Sequence, residues 1–153
     1  MNKASGYILS LSIAFLISWI LIFSLIRLPV SFWNGWKPAT CLKTGCFCES
    51  AHTQSPIRQT ANTISSLAFV CSGMLLITGR RDLSRLPYIY SVIIGFSSLI
   101  IGVGSAFYHA SLTFIGQFLD VFGMFLLAAF TLVYAGSGSG ICALLRPSAC
   151  ILP

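Results

Sequence analysis

The chain has 153 residues, of which 56% are hydrophobic and 8% charged. A soluble globular chain carries roughly 25% charged residues, so a soluble enzyme, a disordered tail and a coiled coil are excluded and a multi-spanning membrane protein is indicated. The net charge of +6, from nine basic and three acidic residues, suits helix orientation and contact with anionic lipid, and no nucleic-acid partner is expected.

Tyr7–Ile26 contains no charged residue. A transmembrane helix needs about 20 apolar residues, whereas a signal-peptide core has about 7–15 and ends in a small-residue cleavage site. Arg27-Leu28-Pro29 follows instead, so residues 1–27 read as an uncleaved N-terminal membrane helix. Residues 28–59 form a wetter, Cys-rich segment with Pro29, Pro38 and Pro56, in which Phe32, Trp33 and Trp36 suit an interfacial aromatic anchor. A second span is expected over Thr60–Gly79, a third over Tyr88–Phe107 and a fourth over Phe118–Tyr134, marginal in length. Residues 60–134 thus carry three spans. Residues 135–153, opening on Ala135-Gly136-Ser137-Gly138-Ser139-Gly140, read as a flexible and non-native tail. The expected fold is all-α: a multi-pass bundle of about four transmembrane helices in a plasma or inner membrane.

The loop after the second span carries Arg80, Arg81 and Arg85. Dense positive charge in a short loop marks the cytoplasmic side. Alternation then places the N-terminus and the tail inside, and residues 28–59 and the Ser111–Gln117 turn outside.

The chain has only three acids, Glu49, Asp82 and Asp120, and two histidines, His52 and His109. Taken singly, each candidate has a plain structural reading. Asp120 suits a helix N-terminus, where the dipole favours an acid. Ser105 suits a back-bond to its own helix, and His109 an interfacial position. Asn62, Ser65 and Ser66 suit capping at the start of the second span, or hydrogen bonds between helices. Cys71, inside that span, suits a small buried apolar residue. In combination the reading changes. Ser105 and His109 share a helix face at four-residue spacing, and Ser98, Gly102 and Ala106 form a small-residue stripe that lets another helix pack close. His109 and Asp120 flank a turn expected around Gly116-Gln117, so Ser105, His109 and Asp120 converge at one membrane depth. An imidazole can ligate a metal, a carboxylate can orient a bound water, and a hydroxyl can bind a developing oxyanion. Catalytic zinc generally takes three protein ligands. In the outer segment Cys41, Cys46, Cys48, Glu49 and His52 read C-x4-C-x-C-E-x2-H, which is not a zinc-finger spacing. A disulfide between two of these three cysteines is the first reading and a soft-metal site the second.

Cys48-Glu49, Asn62-Thr63-Ile64-Ser65, Gly104-Ser105-Ala106-Phe107-Tyr108-His109-Ala110-Ser111-Leu112 and Gln117-Phe118-Leu119-Asp120 resemble the alkaline ceramidase family. Cys46-Phe47-Cys48-Glu49 with Pro56-Ile57-Arg58-Gln59 looks most like its bacterial members. The resemblance covers about Cys46 to Tyr134. It implies a seven-helix membrane amidase, related to adiponectin-receptor-type proteins, that cleaves ceramide-like lipids at their linear, non-peptide C–N bond to a sphingoid base and a fatty acid. It further implies that His109 ligates zinc, that Asp120 activates the zinc-bound water, and that Ser105 sits beside the reacting carbonyl. Glu49 would be a remnant of the calcium region of eukaryotic relatives. Cys46, Ala51 and Gln59 are poor calcium ligands, and calcium is not expected.

The resemblance also implies two further zinc histidines, H-x-x-x-H, in a last helix. No histidine follows His109. The chain is therefore expected to match the N-terminal half of the family fold, with Tyr7–Ile26 as an added helix, and to be truncated by a frameshift or premature stop. Such a half would be inactive and poorly folded or self-associating. The competing readings are a non-catalytic small membrane protein or lipid-binding half-fold, and a receptor-like or lipid-remodelling relative.

Overall fold

The computed structural model describes residues 3–43, 45, 49–78 and 88–136. Four α-helices carry the fold: α1 (Lys3–Arg27), α2 (Thr60–Thr78), α3 (Tyr88–Ser111) and α4 (Phe114–Gly136). Each is long and apolar enough to cross a membrane. There is no strand among the described residues, only an isolated bridge between Pro38 and Thr113. The loop with Arg80, Arg81 and Arg85, Cys46, Cys48, and the tail beyond Gly136 lie outside the described residues.

The helices run alternately up and down. The Ser10 hydroxyl near the start of α1 is hydrogen-bonded to Thr78 at the end of α2, and Gln59, just before α2, meets His109 near the end of α3. Ala14, Val70 and Met74 bury a core between α1 and α2. The expected small-residue stripe of α3 faces inward: Ser98, Gly102 and Ala106 are buried. At Gly102 a Cβ would stand 2.9 Å from the Val70 amide nitrogen and 2.8 Å from its Cγ2, so only glycine lets α2 and α3 approach this closely. The outward surfaces are apolar. Phe125 is 71% and Leu132 72% exposed, which suits a helix surface bathed by lipid rather than water.

Two helix ends differ from expectation. The third span continues to Ser111, placing His109 inside the helix. The fourth starts at Phe114 rather than Phe118 and is 23 residues long, which removes the marginal length. The chain reverses at Leu112, whose φ of 47° lies in the left-handed region, and not at Gly116-Gln117, which is already helical. Leu112 is fully buried, packed with Ala39 and Tyr108, and that packing offsets the conformational cost of a non-glycine residue there.

Residues 28–59 cover the end of the bundle where α2 begins and α3 ends. Two short 3-10 helices, Val30–Trp33 and Thr40–Lys43, lie in this segment. Trp33 is buried, donates from Nε1 to the Pro56 carbonyl at 2.9 Å and packs with Leu25, Ile57 and Ala110. Phe32 and Trp36 touch its ring and remain partly exposed, the arrangement of an interfacial anchor. Farther along, the Ala39 N–H donates to the Leu112 carbonyl and the Phe114 N–H to the Lys37 carbonyl. The Thr40 N–H and hydroxyl both donate to Gln117 Oε1, at 2.9 and 3.0 Å. This strap clamps the α3–α4 turn.

Candidate active site

Ser105, His109 and Asp120 are buried and line one cavity of about 780 Å³ between α2, α3 and α4. Its remaining walls are apolar but for Thr131, whose hydroxyl donates to the Leu127 carbonyl, and include Phe69, Ile101, Met124 and Leu132. Ser105 and His109 come from one face of α3, as their spacing requires. Asp120 is brought to them by Gly104. A Cβ there would stand 3.2 Å from the Leu119 carbonyl and 3.4 Å from the Asp120 nitrogen, so the backbone of α4 lies directly on that of α3. Asp120 is the seventh residue of α4, and the first turn holds no acid. The interfacial, dipole-favoured position is therefore corrected: the carboxylate stands beyond the first turn, where the dipole effect has faded, beside an imidazole and a hydroxyl.

Ser105 is tied across helices, to α2. The Ser66 hydroxyl bonds the Asn62 carbonyl at 2.7 Å and the Ser105 hydroxyl at 3.1 Å. The capping role expected for Asn62, Ser65 and Ser66 is corrected in the same region. The helix already starts at Thr60, so Ser65 and Ser66 lie too far inside to reach its first N–H groups, and both bond the Asn62 carbonyl. The cap comes from Glu49, whose two carboxylate oxygens accept the N–H groups of Ala61 and Asn62, each at 2.8 Å. These bonds, that of Asn62 first, hold its carboxyl below the ordinary value of 4.5.

Gln59 is the residue whose role the sequence did not reveal. It is fully buried. Its N–H donates to the His109 carbonyl at 3.0 Å, and the Arg58 N–H donates to the Ala110 carbonyl at 3.0 Å. Two carbonyls at the end of α3, which lack helical partners, are thus satisfied by the chain entering α2. The Gln59 side chain lies between Glu49 and His109, with Nε2 donating to the Glu49 carbonyl at 2.8 Å and Oε1 2.8 Å from His109 Nδ1. The Tyr108 ring lies tilted by 39° against the imidazole, ring centroids 4.9 Å apart, and its hydroxyl contacts Cys41 Sγ at 3.0 Å. Cys41 is disulfide-bonded. Cys71 is free, so the partner of Cys41 lies outside the described residues. The disulfide leaves Cys41 without a thiolate to ligate a metal.

A cavity with largely apolar walls that gathers a hydroxyl, an imidazole and a carboxylate suits polar chemistry on an apolar molecule. A family model described as Ceramidase matches residues 44–140, a span that contains all three side chains, Glu49 and Gln59. The chain belongs to the ceramidase family. That membership carries a ceramide-hydrolase-like function at the level of the family. No curated protein and no solved structure matches the chain.

Ceramidases are in general metal-dependent, which makes the donor set a direct question. Among the described residues no group of three or more His, Cys, Asp and Glu side chains could hold a metal ion. His109 is one imidazole where a catalytic zinc takes three protein ligands, so these residues do not by themselves fit a zinc centre. Around Glu49 the donor set is that of a helix cap. Calcium gathers about six to eight oxygens, whereas here both carboxylate oxygens are engaged by backbone N–H groups and the neighbouring Gln59 oxygen by the imidazole.

Proposed function

We propose that the protein is a multi-pass membrane hydrolase that cleaves the amide bond of ceramide-like lipids, releasing a sphingoid base and a fatty acid. The observation that carries this reading is the meeting of Ser105, His109 and Asp120 at one cavity whose other walls are apolar but for Thr131. Amide hydrolysis forms a bond from water oxygen to the acyl carbon, breaks the C–N bond and delivers a proton to the departing amine. Asp120 is the group placed to take a proton from water and return it to the amine. Ser105 is the donor placed for the acyl oxygen as negative charge develops there. The apolar walls accept the hydrocarbon chains. By the family resemblance, His109 would supply one imidazole to a zinc ion. The arginines of the loop after α2 place that loop in the cytoplasm, and the site then faces the outer side beneath the 28–59 segment. Asp120 and Ser105 on a cavity open to lipid favour association with a partner that covers them.

The test uses the purified protein in detergent with a ceramide carrying a fluorescent acyl chain, with and without added zinc, and a parallel measurement of bound metal. Release of the labelled fatty acid, lost in Asp120→Asn, supports the hydrolase. Saturable ceramide binding with no release and no bound zinc overturns it. That outcome favours the second reading, a non-catalytic lipid-binding half-fold, which the single imidazole supports.

A further inference from the structure

The buried contact between Gln59 and His109 specifies more than proximity. A glutamine amide has one acceptor end and one donor end, and the neighbours of Gln59 settle which is which. One end of the Gln59 amide meets the backbone carbonyl of Glu49 at 2.8 Å. A carbonyl only accepts, so that end must be the NH2. The other end, 2.8 Å from His109 Nδ1, must be the oxygen, and the Asn62 amide nitrogen donates toward the same oxygen at 3.5 Å. An amide oxygen only accepts, so Nδ1 must carry the proton. A neutral imidazole protonated on Nδ1 has its lone pair on Nε2.

We infer that Gln59 is a positioning residue: held by the Glu49 carbonyl, it locks His109 in the Nδ1–H form and so makes Nε2 the lone-pair nitrogen of the site. A lone pair on Nε2 is what a ligand to an electrophile or an acceptor of a proton requires, and the tautomer of such a histidine is set by the bond its other nitrogen makes. The arrangement is rigid. Gln59 is fixed at its backbone by its bond to the His109 carbonyl and by the Thr63 N–H and hydroxyl, which both donate to the Gln59 carbonyl at 3.0 and 2.6 Å. Glu49 is in turn fixed by its carboxylate on the first turn of α2. The selection therefore runs from an outer-segment residue, through one amide, to the imidazole, with no ion as an intermediary. Its importance for catalysis rests on the proposed hydrolase reading, but the tautomer itself does not.

The experiment reads the tautomer directly. Protein labelled with 15N-histidine is prepared metal-free in detergent, above the histidine titration range. Two-bond proton–nitrogen spectra then identify which ring nitrogen carries hydrogen. The chain has only His52 and His109, and His52→Gln assigns the signals. The expected wild-type result is the Nδ1–H form of His109. Gln59→Met keeps the bulk and removes the acceptor, and it should convert His109 to the Nε2–H form that imidazoles in water prefer. Gln59→Glu keeps an acceptor beside Nδ1 and should retain the proton there. An Nε2–H signal in the wild type, or a persistent Nδ1–H signal in a folded Gln59→Met, overturns the inference. If Gln59→Met does not fold, the wild-type and Gln59→Glu spectra decide. Absence of ceramide hydrolysis alongside an Nδ1–H wild type removes the hydrolase reading and leaves the tautomer assignment standing.

Discussion

The side chain of Glu49 ends on the backbone of Asn62, 13 residues later, at 2.8 Å, and its second oxygen holds Ala61 in the same way. A single carboxylate thereby begins α2 and joins the outer segment to it. Replacing Glu49 with alanine leaves two N–H groups of the first turn without this acceptor and should lower the Tm by a few degrees. Glu49→Gln, which keeps one acceptor oxygen, should lower it less.

The same bonds give a pH signature. They hold the Glu49 carboxyl below 4.5 in the folded protein. A carboxyl whose folded pKa is lowered stabilises the fold above its unfolded value, and this contribution disappears as the pH falls through the folded value. Taken downward from 4.5, wild-type Tm should therefore fall more steeply than that of Glu49→Gln. Parallel slopes would show that the cap contributes nothing.

Gly102 provides a packing test. A side chain there meets the backbone and side chain of Val70, and overpacking of a tight interface costs about 1–3 kcal/mol. Gly102→Val should destabilise the protein by that amount in detergent unfolding, whereas Gly136→Val, with open space around the Cβ position, should leave stability unchanged.

Under the hydrolase reading, Asp120→Asn should slow ceramide cleavage by about 100-fold or more, and Ser105→Ala by about 100-fold. Neither should lower the expression or Tm greatly, since the Ser66 hydroxyl keeps its bond to the Asn62 carbonyl. Rates from labelled ceramide and melting curves on the same preparations check both statements.

The strap over the α3–α4 turn makes a further prediction. Thr40 and Gln117 are joined by three hydrogen bonds, each contributing about 1 kcal/mol. Gln117→Ala should increase hydrogen exchange at Leu112 and Phe114, whose amides bond the Tyr108 and Lys37 carbonyls. Reducing the disulfide at Cys41 should raise exchange at the same amides. Unchanged exchange in both cases would show that the turn holds itself.

How much of this was legible in the sequence depended on how local the cause was. The starts of α2 and α3 and the pairing of Ser105 with His109 on one face follow from hydrophobic length and helical spacing, and the structure reproduces them. The start of α4 did not follow, because the usual turn signal misled. The glycine at 116 serves close packing, with its Cβ position 2.8 Å from the Tyr108 Cα, while the reversal is made by Leu112, which carries no turn signature. The cap of α2 was hidden because its donor groups and its acceptor are 13 residues apart. Gln59 was hidden for the same reason in stronger form: its partner His109 is 50 residues away, and nothing in its immediate neighbours marks it.

The Thr40–Gln117 latch sets an order of events during biosynthesis. Its two halves are 77 residues apart, so Thr40 leaves the ribosome long before Gln117 exists. Contacts of such separation close after local ones. The helical hairpin of α3 and α4 must therefore enter the bilayer before the segment that will grip it can settle. Until then Thr40 stays tethered to the growing bundle through α1 and through the Glu49 cap on α2.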